Sequence, residues 1–455
     1  MKKLIALFIV LSLVVSTAFA EINFGAWGRA GWAPLVIRGS GGGEDGKDAL
    51  VGVGTGPGWN GIGGAVGFGV TGINADKTMG FDLNLRVVNP DNGGANGGYL
   101  GFGDNIADVW VKPFGEILKI TIGKYLVDDL RGKVGGASST YAVGGNFGHM
   151  GAGDDEDRIF SRFKQGAAGV HFGIYPVDGL IIGVSFGSSG KYNGSAATED
   201  VYLDKDGKPV YTSAAGSIYG ALQVGAGYKI PNIGFARVQF IGGNPNDLGK
   251  GTSFDFDGDG TDDYTSPSYS YPDYVTGNGT IEAAFQLTAV QGLNLDVGFG
   301  FPLPITDVND NVKQNPLDLT IGANYSTGNL GILGRVQVTF GGSSTPDGGK
   351  TTTTGLGLQI GVEPTYKIDG IGTLGIELGF GLKGEDAYDG TGLKNNRTSL
   401  GLGAFWRAPL AGATFQVGVA AALPLSGGDA DDWKDDDAKK YDTIFTIPIV
   451  LTYSL

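Results

Sequence analysis

The sequence predicts an all-β fold: a closed, antiparallel, up-and-down transmembrane β-barrel of about eighteen strands. Three observations carry that prediction. Apolar and polar residues alternate with a period of two through long stretches of the chain. The alternating runs last about 9–13 residues, whereas strands of soluble sheets usually have about 5–6. The connections between runs are short and long in turn, the pattern of a barrel with tight turns at one rim and loops at the other.

The first element is not a strand. Lys2 and Lys3 precede an apolar run from Leu4 to Val15, and Ser16-Thr17-Ala18-Phe19-Ala20 leads to Glu21. A basic start, an apolar stretch and Ala-x-Ala describe a secretory signal peptide, residues 1–20, cleaved after Ala20. Cleavage takes the formal charge from −15 to −17 by removing two lysines. Residues 21–455 then form a single barrel domain. No second apolar run of about 18 residues follows, so helical spans are excluded.

The barrel begins at once, with Ile22-Asn23-Phe24-Gly25-Ala26-Trp27-Gly28-Arg29. Phe81-Asp82-Leu83-Asn84-Leu85-Arg86-Val87 alternates cleanly. Ile281, Ala283, Phe285 and Leu287 enclose Glu282, Gln286 and Thr288; after Gln291-Gly292, Leu293, Leu295, Val297 and Phe299 enclose Asn294, Asp296 and Gly298. That is a hairpin. Leu317 to Tyr325, Ile332 to Phe340 and Ile376 to Phe380 repeat the pattern, and Phe445, Ile447, Ile449, Leu451, Tyr453 and Leu455 carry it to the last residue.

Short connections fall near 73–78, 113–115, 176–178, 230–232, 290–292, 326–329, 368–370 and 408–411. Long ones fall near 35–58, 89–103, 126–163, 188–216, 243–277, 302–315, 341–352, 384–395 and 424–440. Together they separate eighteen strands, with both termini on the short-turn, periplasmic side and long loops outside. Shifted boundaries would give sixteen or fourteen. Phe24, Trp32, Tyr228, Tyr325, Phe340, Tyr366, Trp406 and Tyr453 gather toward run ends, where membrane interfaces would lie. Gly357, Gly361, Gly379, Gly401 and Gly403 take inward positions, which leaves room in the lumen.

Composition removes other classes. Glycine makes up 85 of 455 residues without a three-residue period, which excludes collagen. Mean hydropathy is only +0.02, far below that of a helical membrane protein. Zero cysteines exclude disulfides, thiolate metal sites, cysteine nucleophiles and a lipobox anchor. A pI near 4.6 argues against nucleic acid as a partner.

At the level of architecture the mature chain resembles outer-membrane porins, and its FGAWGRAGWAPL opening is similar to spirochaete-type barrels. The resemblance implies the outer membrane of a diderm bacterium, lipid around the barrel, insertion by the barrel-assembly machinery and a homotrimer. The last run is similar to the C-terminal strand which that machinery recognises, but ends in Leu455 where Phe or Trp is usual. With no segment ahead of the first strand to form a plug or hatch, siderophore transporters and fatty-acid channels fit less well.

Chemistry-bearing residues are few. By parity the lumen receives Asp82, Arg86, Lys119, Arg237, Glu282, Asp296, Asp318, Arg335, Glu363 and Glu377. A charge facing hydrocarbon costs several kcal/mol near the midplane, so these are expected to face water. The connection 126–163 carries Asp154, Asp155, Glu156 and Asp157; in general porins the equivalent loop folds inward and narrows the pore. Asp255, Asp257, Asp259 and Asp263 lie in a D-x-D-x-D-G pattern suited to weak Ca²⁺ binding, though Ser266 stands where a twelfth-position acid is expected. No other cofactor is expected. His171 sits at inward parity with Ser185 on the paired run, which raises a barrel hydrolase as an alternative, but no acid partner is assignable. The expectation is a non-enzymatic channel for passive diffusion of small hydrophilic solutes, mildly cation-selective. The alternative from another class is a surface adhesin or structural protein acting through its acidic loops.

Overall fold

A computed structural model describes residues 21–39, 46–53, 65–88, 101–131, 163–164, 169–187, 201–203, 209–211, 222–242, 253–254, 264–265, 279–306, 312–314, 316–344, 352–353, 356–383, 387–388, 397–426 and 443–454. The signal-peptide expectation, on residues 1–20, lies outside them.

Among the described residues eighteen strands close on themselves. They are β1 (Glu21–Gly39), β2 in two segments (Gly46–Val53 and Ala65–Ile73), β3 (Met79–Val88), β4 (Gly101–Val111), β5 (Leu118–Lys124) and β6 (Gly169–Ile174). Next come β7 (Leu180–Gly187), β8 (Gln223–Ile230), β9 (Gly234–Gly242), β10 (Gly279–Leu287), β11 (Leu293–Pro302) and β12 (Leu317–Thr327). The wall is completed by β13 (Leu330–Phe340), β14 (Gly357–Ile368), β15 (Gly372–Lys383), β16 (Arg397–Leu410), β17 (Ala413–Ser426) and β18 (Thr443–Ser454). Each strand pairs antiparallel with its sequence neighbour, and β18 returns to β1 in register Trp27↔Ser454 through Gly39↔Thr443. Closure leaves no edge with unpaired backbone groups, the condition for crossing hydrocarbon with strands. No helix of the described residues is long and apolar enough to cross a membrane, which has no bearing on a barrel.

The short turns form where the sequence places a residue able to turn left. Every one of the eight contains a positive φ, from Lys77 in the first to the Ala411-Gly412 pair in the last (φ 48° and 86°). Two consecutive left-handed residues make the two-residue hairpin turn whose twist suits the strands. At the other rim, Ile305–Thr306, Val312–Gln314, Ser343–Ser344, Thr352–Thr353 and Ala387–Tyr388 pair in a second small sheet. It raises the wall above β11–β16.

One expected loop is largely strand. The alternation of short and long connections places a long one at 35–58. Instead β1 continues to Gly39, and Gly46–Val53 pairs with it from Arg38↔Gly46 to Ala30↔Val53. The lower half of β1 pairs with Ala65–Ile73, so residues 54–64 interrupt one strand rather than separate two. Pairing on both sides of β1 overrides the local glycine preference.

Alternation sorts the side chains. Outward positions carry Phe24, Phe68, Val109, Val238, Phe285, Ile321, Ile376 and Leu378, all exposed. Inward positions carry Gln239, Gln286, Asp296, Thr320, Gln337 and Glu377, all buried. This inside-out distribution belongs to a barrel in lipid. Ile321→Arg on the outer face near mid-strand should therefore cost about 2–4 kcal/mol, while Gln359→Arg on the inner face should cost far less. Urea unfolding in lipid vesicles measures both; equal losses would contradict the assignment of faces.

Candidate functional site in the barrel interior

Parity and register place the expected charges on the inner wall. Asp82 on β3 pairs with Thr71 and with Asp108 on β4. Arg86 shares that parity through its pairing with Gly67, its side chain being outside the described ones. Lys119 on β5 stands with Nζ 4.9 Å from the centroid of the Trp110 ring, a cation–π contact. Glu282 on β10 pairs with Gln239 on β9. Asp318 on β12 accepts hydrogen bonds from Gln337 Nε2 at 2.8 Å and Thr320 Oγ1 at 3.1 Å, and Arg335 donates to Gln337 Oε1 at 3.4 Å. Glu363 and Glu377 lie on the facing strands β14 and β15.

Their solvent contact differs from expectation. Asp82, Lys119, Glu282 and Asp318 are half-buried, whereas Arg237, Asp296, Arg335, Glu363 and Glu377 are buried. For Arg237 and Asp296 the reason is mutual pairing. Arg237 reaches from β9 across β10 to form an ion pair with Asp296 on β11, both side chains at 0% exposure. Charges sealed from water persist only when paired and hydrogen-bonded.

The third long connection enters the barrel. After β5, Tyr125 turns inward and its hydroxyl donates to the Val170 carbonyl of β6 at 3.1 Å. Leu126 and Val127 pair with Lys164 and Phe163, so both limbs travel together. Leu130 is buried against Gly225 and Gly227 of β8, and Phe163 against Gly183 of β7. Only a missing side chain leaves space for these knobs. Lower down, the Tyr175 hydroxyl, at the start of the β6–β7 turn, donates to Asp129. Burial and the Asp129 carboxylate hold that phenol well above the usual tyrosine range. With Ile181, Phe235 and Ala284 the limbs make an apolar cluster inside the barrel. Asp154, Asp155, Glu156 and Asp157, at the far part of this connection, lie outside the described residues.

His171 belongs to the same anchorage. Its Nδ1 and Ser185 Oγ are hydrogen-bonded at 2.9 Å, and its ring lies between Phe163 (centroids 4.7 Å apart) and Tyr125 (5.8 Å). Ser185 has no exposed surface, so a substrate has no path to its hydroxyl. The pair is built to hold the inward limbs. Asp255, Asp257, Asp259 and Asp263 lie outside the described residues, between Phe254 and Tyr264, which pair with each other. Among the described residues no cluster of His, Cys, Asp and Glu could hold a metal ion.

Counting charges alone missed the amides. Gln223, Gln239, Gln286, Gln337 and Gln416 are all buried on the inner wall. Their alternation is visible in the sequence, and parity would have found them. Asp108 on β4, opposite Asp82, is a further acid of the inner wall that the expected set lacks.

No family model matches the chain, and no curated protein does. Solved structures that it resembles include an anion-selective porin from Comamonas acidovorans, at 11% identity and TM-score 0.45, covering 95% of this chain and 100% of that one. The outer membrane protein OpdK from Pseudomonas aeruginosa gives 11% identity and TM-score 0.48, covering 96% of this chain and 99% of that one. OmpF from Salmonella typhi, in complex with daunomycin, gives 10% identity and TM-score 0.43, covering 95% and 97%. All three TM-scores lie below 0.5, and the architecture stands on the chain's own strand pairings.

Proposed function

We propose that the chain is an outer-membrane pore for passive diffusion of small hydrophilic solutes, with a mild preference for cations. The observation that carries this reading is the polar, charged inner wall of a closed barrel whose outer face is apolar. A barrel of this strand number is wide enough for an aqueous path beside the inward limbs. Side chains at the water-accessible inner positions Asp82, Glu282 and Asp318 hydrate passing solutes in place of bulk water.

The preference follows from the middle of β10–β15. There the inner wall carries Glu282, Asp318, Glu363 and Glu377 against Arg335, while Arg237 and Asp296 neutralise each other. Excess negative charge in a narrow, low-dielectric lumen concentrates cations. Purified protein in planar bilayers under a KCl gradient should give a reversal potential of cation sign that shrinks above about 1 M salt, where the Debye length falls to about 3 Å. Anion selectivity would overturn the preference, and absence of any current would overturn the pore.

A further inference from the structure

The inward limbs rest on a side chain whose charge changes near neutral pH. His171 of β6 lies between the Phe163 ring of one limb and the Tyr125 ring of the other, and the three close over one another until His171 is 1% exposed. Gly183 of β7 makes the room: a Cβ there would run into Phe163 and sit 3.2 Å from His171 Cε1. One ring nitrogen is satisfied, since Nδ1 and Ser185 Oγ are 2.9 Å apart. The other, Nε2, is buried with no hydrogen-bond partner, and so is Oγ1 of Thr121, the residue that pairs with His171 on β5.

A neutral imidazole tolerates this setting, because only one polar atom goes unmatched. An imidazolium does not. It carries an N–H on both sides and a full charge, and the aromatic faces recover only part of the hydration it forfeits. Of the charged groups that face the ring, Lys119 of β5 opposes a positive charge there and Asp129 of the first limb favours one. Asp129 is already engaged by the Tyr175 hydroxyl, and the Tyr125 hydroxyl by the Val170 carbonyl. Asp128 and Arg131 of the same limb pair with each other at 3.5 Å. The second limb brings Phe163, with Lys164 described only through its backbone pairing to Leu126. β7 brings no titratable side chain, and β6 no other.

While the limbs are docked, the ring is shut away from water. Once they lift, it meets the lumen and takes a proton as an ordinary histidine does, at about pH 6.5. A proton that binds only the lifted state pulls the balance toward it, about tenfold for each pH unit below that value. Docking is therefore at full strength above about pH 6.5 and weakens as pH falls below it. We propose that His171 is an acid-released latch: it holds the inward limbs against β5–β7 in neutral medium and lets them go in acid, widening the lumen. The release concerns the limbs alone, and its effect on conduction rests on the pore reading.

The test compares the full-length protein at about pH 7.5 and about pH 5 through two readouts. One is proteolytic cleavage in the connection between β5 and β6, scaled at each pH to cleavage of an unstructured peptide; the other is single-channel conductance in planar bilayers. The ratio of lifted to docked limbs should rise about thirtyfold between the two conditions, and cleavage with it; conductance should rise as well. His171→Phe combined with Ser185→Ala keeps an aromatic ring between the limbs and strands neither partner, and should lose the response to acid. Ser185→Ala alone loosens the latch but keeps the imidazole, so it should be cleaved faster at neutral pH and still respond. The chain's other histidine, His149, serves as control, and His149→Gln should behave as the wild type. Equal cleavage of the wild type in both conditions would overturn the latch. So would an acid response that survives in the double variant, which would assign it to carboxylates, or one that is lost in His149→Gln. Acid-quickened cleavage in a protein that passes no current would support the latch and overturn the pore instead.

Discussion

Gly183→Val and Gly225→Val are expected to enlarge the pore. A Cβ at Gly225 would sit 2.5 Å from Leu130 Cδ1, and one at Gly183 would run into the Phe163 ring. Overpacking of this kind costs about 1–3 kcal/mol, and the weaker partner yields. The barrel is braced by ladders on both sides of every strand, whereas the limbs 125–131 and 163–164 are held by a two-pair ladder and a few side-chain contacts. Segments held this lightly open locally well before the whole fold does. About 1.4 kcal/mol shifts the docked population tenfold, so proteolytic cleavage in the connection should quicken by about that factor. Single-channel conductance should rise at the same time. A folded variant with unchanged conductance and cleavage would show that the limbs do not restrict the path.

Asp296→Asn is expected to be the most destabilising conservative change in the wall. It removes the carboxylate opposite Arg237 while leaving the guanidinium at 0% exposure. Breaking a buried pair from one side costs about 3–5 kcal/mol, visible as a lower urea midpoint in vesicles. Replacing both partners, Arg237→Met with Asp296→Leu, should recover much of that loss, because no buried charge is then stranded. A double variant as unstable as the single one would mean that the pair stabilises the wall beyond mutual neutralisation.

The wall was legible in the sequence because its physics is local. Strands such as β10 to β13 announce themselves through alternation, and turns such as Gly292 and Gly328 through the residue that must take a positive φ. The inner charges follow from parity alone. What sequence reading could not supply is long-range pairing. Gly46–Val53 looks like loop until β1 is there to pair with it. Tyr125, Leu130 and Phe163 look like scattered loop apolars until Gly183, Gly225 and Gly227, on strands far along the chain, provide the holes. The burial of Arg237 and Asp296 depends on two strands separated by a third, which no local pattern encodes.

The seam between β1 and β18 has a kinetic consequence. Its partners, from Trp27↔Ser454 to Gly39↔Thr443, lie roughly 400 residues apart, so the pairing that completes the ring has the greatest loop to close. On its other edge β1 finds β2 within a few tens of residues and can zip early. The nascent sheet therefore waits with one side of β1 unpaired until the final strand arrives. During that interval the exposed edge is a template for any extended chain, including another copy of itself. Assembly is then a race between intramolecular closure and strand exchange, decided by how long β18 is kept from β1.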